Sequence, residues 1–355
     1  MMVPFLKTYA SELKNNASLG IDTYTDNAGV QVYSPTFALM KTLSKHWLVG
    51  FKMRIDAIAA ASIRLSGAPS NVDAVASASH KSGFEDTRYA PTFLAAYDDG
   101  INSAGAGIYY STEEDYIGKS FFFHYTRQFN QGNTALGFGY SQAADTIDPV
   151  FKRDINKNKD EKKLDISINQ LIDTTLSLQF IYSYIDSSGF LASPYLYNDA
   201  GFERYPAQRT GHAFSIKGLK YIDDKNSMNF SYRYYNDDWE IKSHTMSVEW
   251  LHDLSETLMI GARARYYTQS KSFFTKAAGD YKDTDKFTVI DYRMSAFDSY
   301  DIGIPIKYKT SFDSPYTFSF SIDYYRTSHN AYIKRWYGDK YIQALYTTFR
   351  VDYAF

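Results

Sequence analysis

The chain has 355 residues, no Cys, a formal charge of −2 and 17% aromatic residues, with 33 Tyr. It contains no run of about 18 apolar residues, which excludes a transmembrane helix. A mean hydropathy of −0.41 resembles that of a soluble protein, but a β-barrel gives the same value because every second residue faces water.

The length would suit two soluble domains, yet no linker or change of composition divides the chain. A single closed sheet over 17–355 fits better. Tyr-rich composition suits rings lying at membrane–water boundaries. The absence of Cys is compatible with export through an oxidising periplasm. Residues 1–16 lack the basic start, apolar centre and small-residue cleavage site of a secretory signal. They are expected to form a periplasmic segment, with the signal removed or the start codon misassigned.

About 16 strands can be read in chain order. The first spans 17–25 and turns through Asp26–Gly29 into 30–41. After Thr42–Lys45 comes 46–58, where Trp47, Val49, Phe51, Met53 and Ile55 alternate with Lys52, Arg54 and Asp56. A long segment, 59–87, precedes strands at 88–97, 103–112, 118–128 and 133–143. The charged connection 144–162 reads as a solvated loop. Strands 163–172 and 174–185 meet around Asp173, and a loop at 186–209 leads to 210–221, 226–236, 240–252 and 256–268. A loop at 269–286 precedes a long strand, 287–311, in which Ile290, Tyr292, Met294 and Tyr300 keep the even positions apolar and Asp298 breaks the stripe. The last strands are 316–327 and 341–355.

The closing strand is the clearest. Leu345, Thr347, Phe349, Val351, Tyr353 and Phe355 lie on one side, and Ala344, Tyr346, Thr348, Arg350, Asp352 and Ala354 on the other. The edge strand of a soluble sandwich would normally be followed by a polar tail. An apolar-out strand ending on an aromatic suits an outer-membrane barrel. Phe349, Val351, Tyr353 and Phe355 are therefore the candidate assembly signal, read by the barrel assembly machinery. Connection lengths support the same architecture: those after even strands are all short, and every long one follows an odd strand. Short periplasmic turns and longer external loops are the pattern of a transmembrane antiparallel up-and-down β-barrel.

The chain resembles a family of Gram-negative outer-membrane proteins catalogued as a domain of unknown function. The resemblance lies in Gly20–Pro35, Asp56–Ser62, Val72–Ser79, Asp86–Tyr89, Arg209–His212, Tyr232–Trp239 and Asp291–Phe297. It implies an outer-membrane barrel and no particular activity.

No G-x-S-x-G, H-E-x-x-H or phosphate-cradling glycine run occurs. Seven His are scattered without metal-ligand spacing. Ser243 and His244 are adjacent in a strand and point to opposite faces. Glu113–Asp115 and Asp237–Asp238 could hold Ca²⁺ at the rim, but solvated loop acids are the commoner case. The expectation is therefore no enzyme, no cofactor, no metal and no nucleic-acid partner.

If the apolar stripe faces lipid, the pore-lining candidates are Lys52, Arg54, Asp56, Lys217, Arg233, Glu249, Arg263, Arg265, Asp291, Arg293, Arg350 and Asp352. Asp165, Lys307, Lys309 and Asp323 fall on the same face. Basic residues outnumber acidic ones in this set. Either they pair off and stiffen the wall, or they make an electropositive pore that favours anions. Segment 59–87, with Asp56–Ser62 echoed by Asp73–Ser79, is the candidate plug; the other reading is a hairpin above the membrane. The function expected is porin-like passage of small hydrophilic solutes with a mild anion preference, in the bacterial outer membrane. A scaffold or sleeve for a periplasmic or lipoprotein partner, or an electron carrier, is the alternative.

Overall fold

The computed structural model describes residues 14–60, 84–148, 156–193, 197–198, 201–282 and 284–355. The strands are β1 (Asn16–Asp26), β2 (Val30–Thr42), β3 (Trp47–Ala60), β4 (Phe84–Asp98), β5 (Asn102–Thr112), β6 (Tyr116–Phe129), β7 (Thr134–Ile147), β8 (Lys157–Asp173) and β9 (Leu176–Gly189). A small hairpin, β10 (Tyr197–Asn198) and β11 (Gly201–Phe202), follows. The remainder are β12 (Gln208–Asp223), β13 (Asn226–Asp237), β14 (Lys242–Asp253), β15 (Leu258–Gln269), β16 (Phe297–Lys309), β17 (Tyr316–Thr327) and β18 (Gln343–Ala354). All except the hairpin join one closed antiparallel barrel of sixteen strands.

Closure is made by β1 against β18, in register from Asn16↔Ala354 to Asp26↔Ala344. A closed barrel leaves no unpaired edge, the condition for crossing a bilayer with strands. The apolar stripe faces outward, as alternation requires: Leu19, Phe93, Ile166, Phe214, Met246, Ile302 and Phe349 are all exposed. On β18 the outward positions include Leu345, Phe349, Tyr353 and Phe355. Tyr353 stacks on Tyr316 with centroids 4.9 Å apart, and on Phe355 at 5.6 Å. These stacks give the terminal end of the barrel part of its aromatic belt.

The end carrying both termini has only tight connections, such as Asp98 to Asn102 and Asp223 to Asn226. Aspartates make these turns. Asp99 Oδ1 accepts the amides of Ile101 and Asn102 at 2.9 and 2.6 Å, and Asp223 Oδ1 accepts that of Lys225 at 2.9 Å. All the long connections lie at the opposite end.

Three expectations are corrected. The long strand starts at Phe297, not at 287; residues 287–296 leave the wall and turn through a 3₁₀ helix, Tyr292–Met294. Their alternating apolar positions gave the appearance of a strand, but Val289, Ile290 and Tyr292 are buried against the inside of the mouth. Asp291 starts the 3₁₀ turn by accepting the Arg293 amide. The charged run from Lys157 to Lys163 is strand, not loop, and pairs with β7 and β9. Alternating charge suits a strand with water on both faces. The loop read at 328–340 contains a helix, α1 (Ala331–Tyr337), capped by the Asn330 side chain at its start and by Gly338 at φ 78° at its end. Residues 1–13 and most of the expected plug, 61–83, lie outside the described residues.

Candidate functional site

Inward-facing charges form separate groups around the wall. On β1, β3 and β4, Arg54 bonds Asp22 and Asp56 at 2.7 Å each, while Arg88 bonds Asp56 at 2.5 Å. Asp22 also accepts the Thr348 hydroxyl at 2.8 Å, so this network crosses the β1–β18 seam. Lys52 lies on the same face of β3. Farther round, Arg263 bonds Asp323 at 2.6 Å and approaches Glu249 at 3.5 Å. Arg265 bonds Asp301 at 3.0 Å, and Lys163 bonds Asp165 at 2.9 Å. Arg263 and Arg265, both expected to line the pore, are thus held by acids.

Three expected lumenal cations are different. Among the described residues no carboxylate lies within ion-pair distance of Arg233, Lys217 or Arg350. Arg233 sits between Ser215 and Thr245 on the neighbouring strands. Asp352 shares the inward face of β18 with Arg350 near the terminal end. Asp291 and Arg293 reach the lumen from the loop rather than from a strand, and they pair with each other at 2.5 Å.

Sequence parity could have found Asp22, Arg88 and Asp301, which lie on the inward alternation of their strands. Arg209 was missed because its strand begins earlier than expected. It bonds Asp237 at 2.8 and 2.5 Å and lies 4.6 Å over the Trp239 ring.

The mouth opposite the termini is covered by the described parts of three connections, 190–193 with 201–207, 270–282 with 284–296, and 328–342. Their apolar side chains, including Phe274, Val289, Tyr292, Tyr332 and Ile333, pack on Tyr24, Val32, Ile58 and Tyr325 of the wall. Trp239 packs edge-on to Phe274 with centroids 5.2 Å apart. Backbone and side-chain bonds fix this cover. Arg204 and Thr288 exchange backbone bonds at 3.2 and 3.0 Å. Gln269 Nε2 donates to the carbonyls of Arg293 and Ser295 at 2.7 Å each. Asn330 Nδ2 donates to Ser295 Oγ at 2.8 Å.

Glu203 is the centre of the latch between two of these connections. Its Oε1 accepts the amides of Ile290 and Asp291 and the Tyr205 hydroxyl, all at 2.6 Å. Its Oε2 is buried with no partner among the described residues. Burial, and secondarily the nearby Asp291 carboxylate, push the Glu203 carboxyl up to about 8.

Beneath the cover lies a cavity of about 580 Å³. Arg209, Arg233, Arg265, Arg293, Tyr235, Tyr267, Phe297 and Tyr325 are among its lining residues. Guanidiniums and phenol rings interleave there. Tyr235 lies 5.8 Å from Arg209 and 5.2 Å from Arg233, and Tyr267 lies 5.9 Å from Arg265. The wall can hold an anion by charge and a flat group by its rings.

Comparisons with known proteins agree with this architecture. The barrel is similar to a structure described as a bacterial polysaccharide outer membrane secretin, with TM-score 0.57 and 8% identity over 97% of this chain and 99% of that one. At such identity the likeness is one of fold. The siderophore receptor PirA from Pseudomonas aeruginosa gives TM-score 0.47 and 8% identity over 89% of this chain. The chain spans only 56% of that receptor's length. A monoaromatic hydrocarbon channel, CymD, gives TM-score 0.47 and 9% identity over 97% of this chain and 89% of that chain. No curated protein matches the sequence. A family model described as a protein of unknown function, DUF3570, matches residues 4–158 and 150–340. With nearly the whole chain covered, this sixteen-stranded barrel belongs to the DUF3570 family.

Proposed function

We propose that the barrel is a bacterial outer-membrane conduit for small hydrophilic solutes, with a preference for anions. The observation that carries this reading is the set of lumenal cations without an ion-pair partner among the described residues, Arg233, Lys217 and Arg350, in a wall where Arg54, Arg88, Arg263 and Arg265 are paired. Fixed guanidiniums in a confined aqueous lumen raise the local anion concentration. Passage is diffusion along the wall and needs no chemistry from the protein. The covered mouth makes entry depend on displacement of 270–296 from the rim.

The reading is tested in proteoliposomes by comparing influx of a small anion with that of a neutral solute of equal size. Faster entry of the anion is expected, and its advantage should vanish when Arg233, Lys217 and Arg350 are all replaced by Gln. Equal entry of both solutes into wild-type vesicles removes the anion preference. The packed cover favours one second reading, a sleeve that opens only around a protein partner. Vesicles that admit neither solute support that reading instead.

A further inference from the structure

We infer that the cavity beneath the cover is a binding site for a monoanionic solute, a single carboxylate carried on a flat apolar body. The inference deepens the conduit reading by narrowing its anions to small, water-soluble aromatic carboxylates, and it rests on that reading for its physiological purpose.

The charge follows from the lining. Arg209 is held by Asp237, Arg265 by Asp301 and Arg293 by Asp291. Lys159, at the rim, stands directly across from Asp145 in the β7–β8 register. Among the described residues, Arg233 alone of these lining cations has no carboxylate within ion-pair distance, Asp165 acting on it only from farther off; its cross-strand neighbours are Ser215 and Thr245. One guanidinium without a contact counter-ion, partly withdrawn from water, calls for one negative charge. Its planar fork matches a carboxylate with two parallel hydrogen bonds.

The body follows from what the walls have left to offer. Four lining tyrosines already donate elsewhere: Tyr116 to Asp145 at 2.6 Å, Tyr205 to Glu203 at 2.6 Å, Tyr235 to Asp237 at 2.9 Å and Tyr267 to Gln269 at 2.5 Å. The tyrosines therefore present ring faces to the cavity rather than free donors. Phe190, Leu191, Ile241, Met294 and Phe297 add apolar surface between the polar groups. Fused rings gain stacking on these faces that a sugar ring does not. The volume, about 580 Å³, lies within the range of ordinary small-molecule sites, roughly 300–1,000 Å³.

The test is calorimetric titration of the full chain in lipid nanodiscs, with empty discs as the blank. The probes are 2-naphthoate, its neutral amide, glucuronate and naphthalene-2,6-dicarboxylate. Naphthoate is expected to bind at least about tenfold tighter than the amide, as a charge-assisted bond implies, and tighter than glucuronate or the dicarboxylate. Arg233→Gln should abolish the preference of acid over amide, and Arg233→Lys, which keeps the charge but not the fork, should restore only part of it. Heat-modifiable migration on gels checks that both variants are folded barrels. Equal binding of acid and amide overturns the site, as does an Arg233→Gln barrel that keeps the preference. Tighter binding of glucuronate or of the dicarboxylate overturns the assigned class. A barrel that admits small anions but binds no naphthoate loses this site and keeps the conduit; one that binds naphthoate but admits no solute keeps the site and loses the conduit.

Discussion

Glu203 shows how much a single buried group can decide. One carboxylate oxygen holds two backbone amides of the 270–296 connection, while the other has no partner among the described residues. Its folded value is raised above that of a free carboxyl, so the closed cover prefers the protonated form. The associated stability is complete below the unperturbed value, near about 4.3, and is lost as pH rises through about 8. Amide exchange at Ile290 and Asp291 should therefore accelerate as pH climbs through that window, beyond the intrinsic rate increase. Glu203→Gln keeps an acceptor for the two amides and should flatten this excess; a variant as pH-sensitive as wild type would assign the effect to another group. Glu203→Ala should weaken the cover by about 1–3 kcal/mol, because two buried donors lose their acceptor. None of this was legible in the sequence. Glu203 lies in a stretch without periodicity, and its partners are 87 and 88 residues away. Arg54, Arg263 and Arg265 were legible as inward residues from alternation alone, but their pairing was not, because it depends on which strands become neighbours.

Strands were legible wherever lipid lies on one side and water on the other. That contrast imposes period-two alternation along β3, β9, β13 and β18, and the structure keeps the expected faces. It fails where the surroundings change. In 287–296 the apolar residues Val289, Ile290 and Tyr292 are buried inside the mouth on all sides, so an inward cover imitates a lipid-facing strand. In 157–163 both faces are wet, and charge alone suggested a loop. Helix α1 left a signal in Asn330 and Gly338 that was too short to stand out. The face assignment of β13 can be tested by moving one charge by one residue. Phe230 belongs to the outward stripe, whereas Ser231 Oγ lies 2.7 Å from Ser247 Oγ on the lumenal side. Phe230→Arg should destabilise the folded barrel by roughly 2–4 kcal/mol if it lies near the bilayer midplane, while Ser231→Arg should be tolerated. Urea titration in lipid vesicles measures both. Equal losses would mean that the strand's register is wrong.

For the whole molecule, closure and asymmetry matter most. The seam between β1 and β18 runs from the terminal end to the opposite rim and is crossed by Asp22, which ties Arg54 to Thr348. Phe355 ends the outward stripe and stacks on Tyr353. Deleting it should reduce membrane-inserted, heat-modifiable barrel, measured by fractionation and gel shift; normal insertion would contradict its role in assembly. From the segregation of tight turns and long connections, legible in the sequence, we propose that the covered mouth faces outside and the termini the periplasm. Protease added to whole cells should then cut within 190–207 or 270–296 and spare Thr42–Lys45 and Asp253–Glu256. Cleavage at those turns in intact cells would reverse the orientation. The claim on which the functional account depends is that the lumen conducts and selects by its unpaired cations. It is tested most directly by the zero-current potential of the purified barrel in a planar bilayer under a salt gradient. An anion-selective sign is expected for wild type, with a shift toward zero when Arg233, Lys217 and Arg350 become Gln; a cation-selective sign, or no conductance at all, would contradict it.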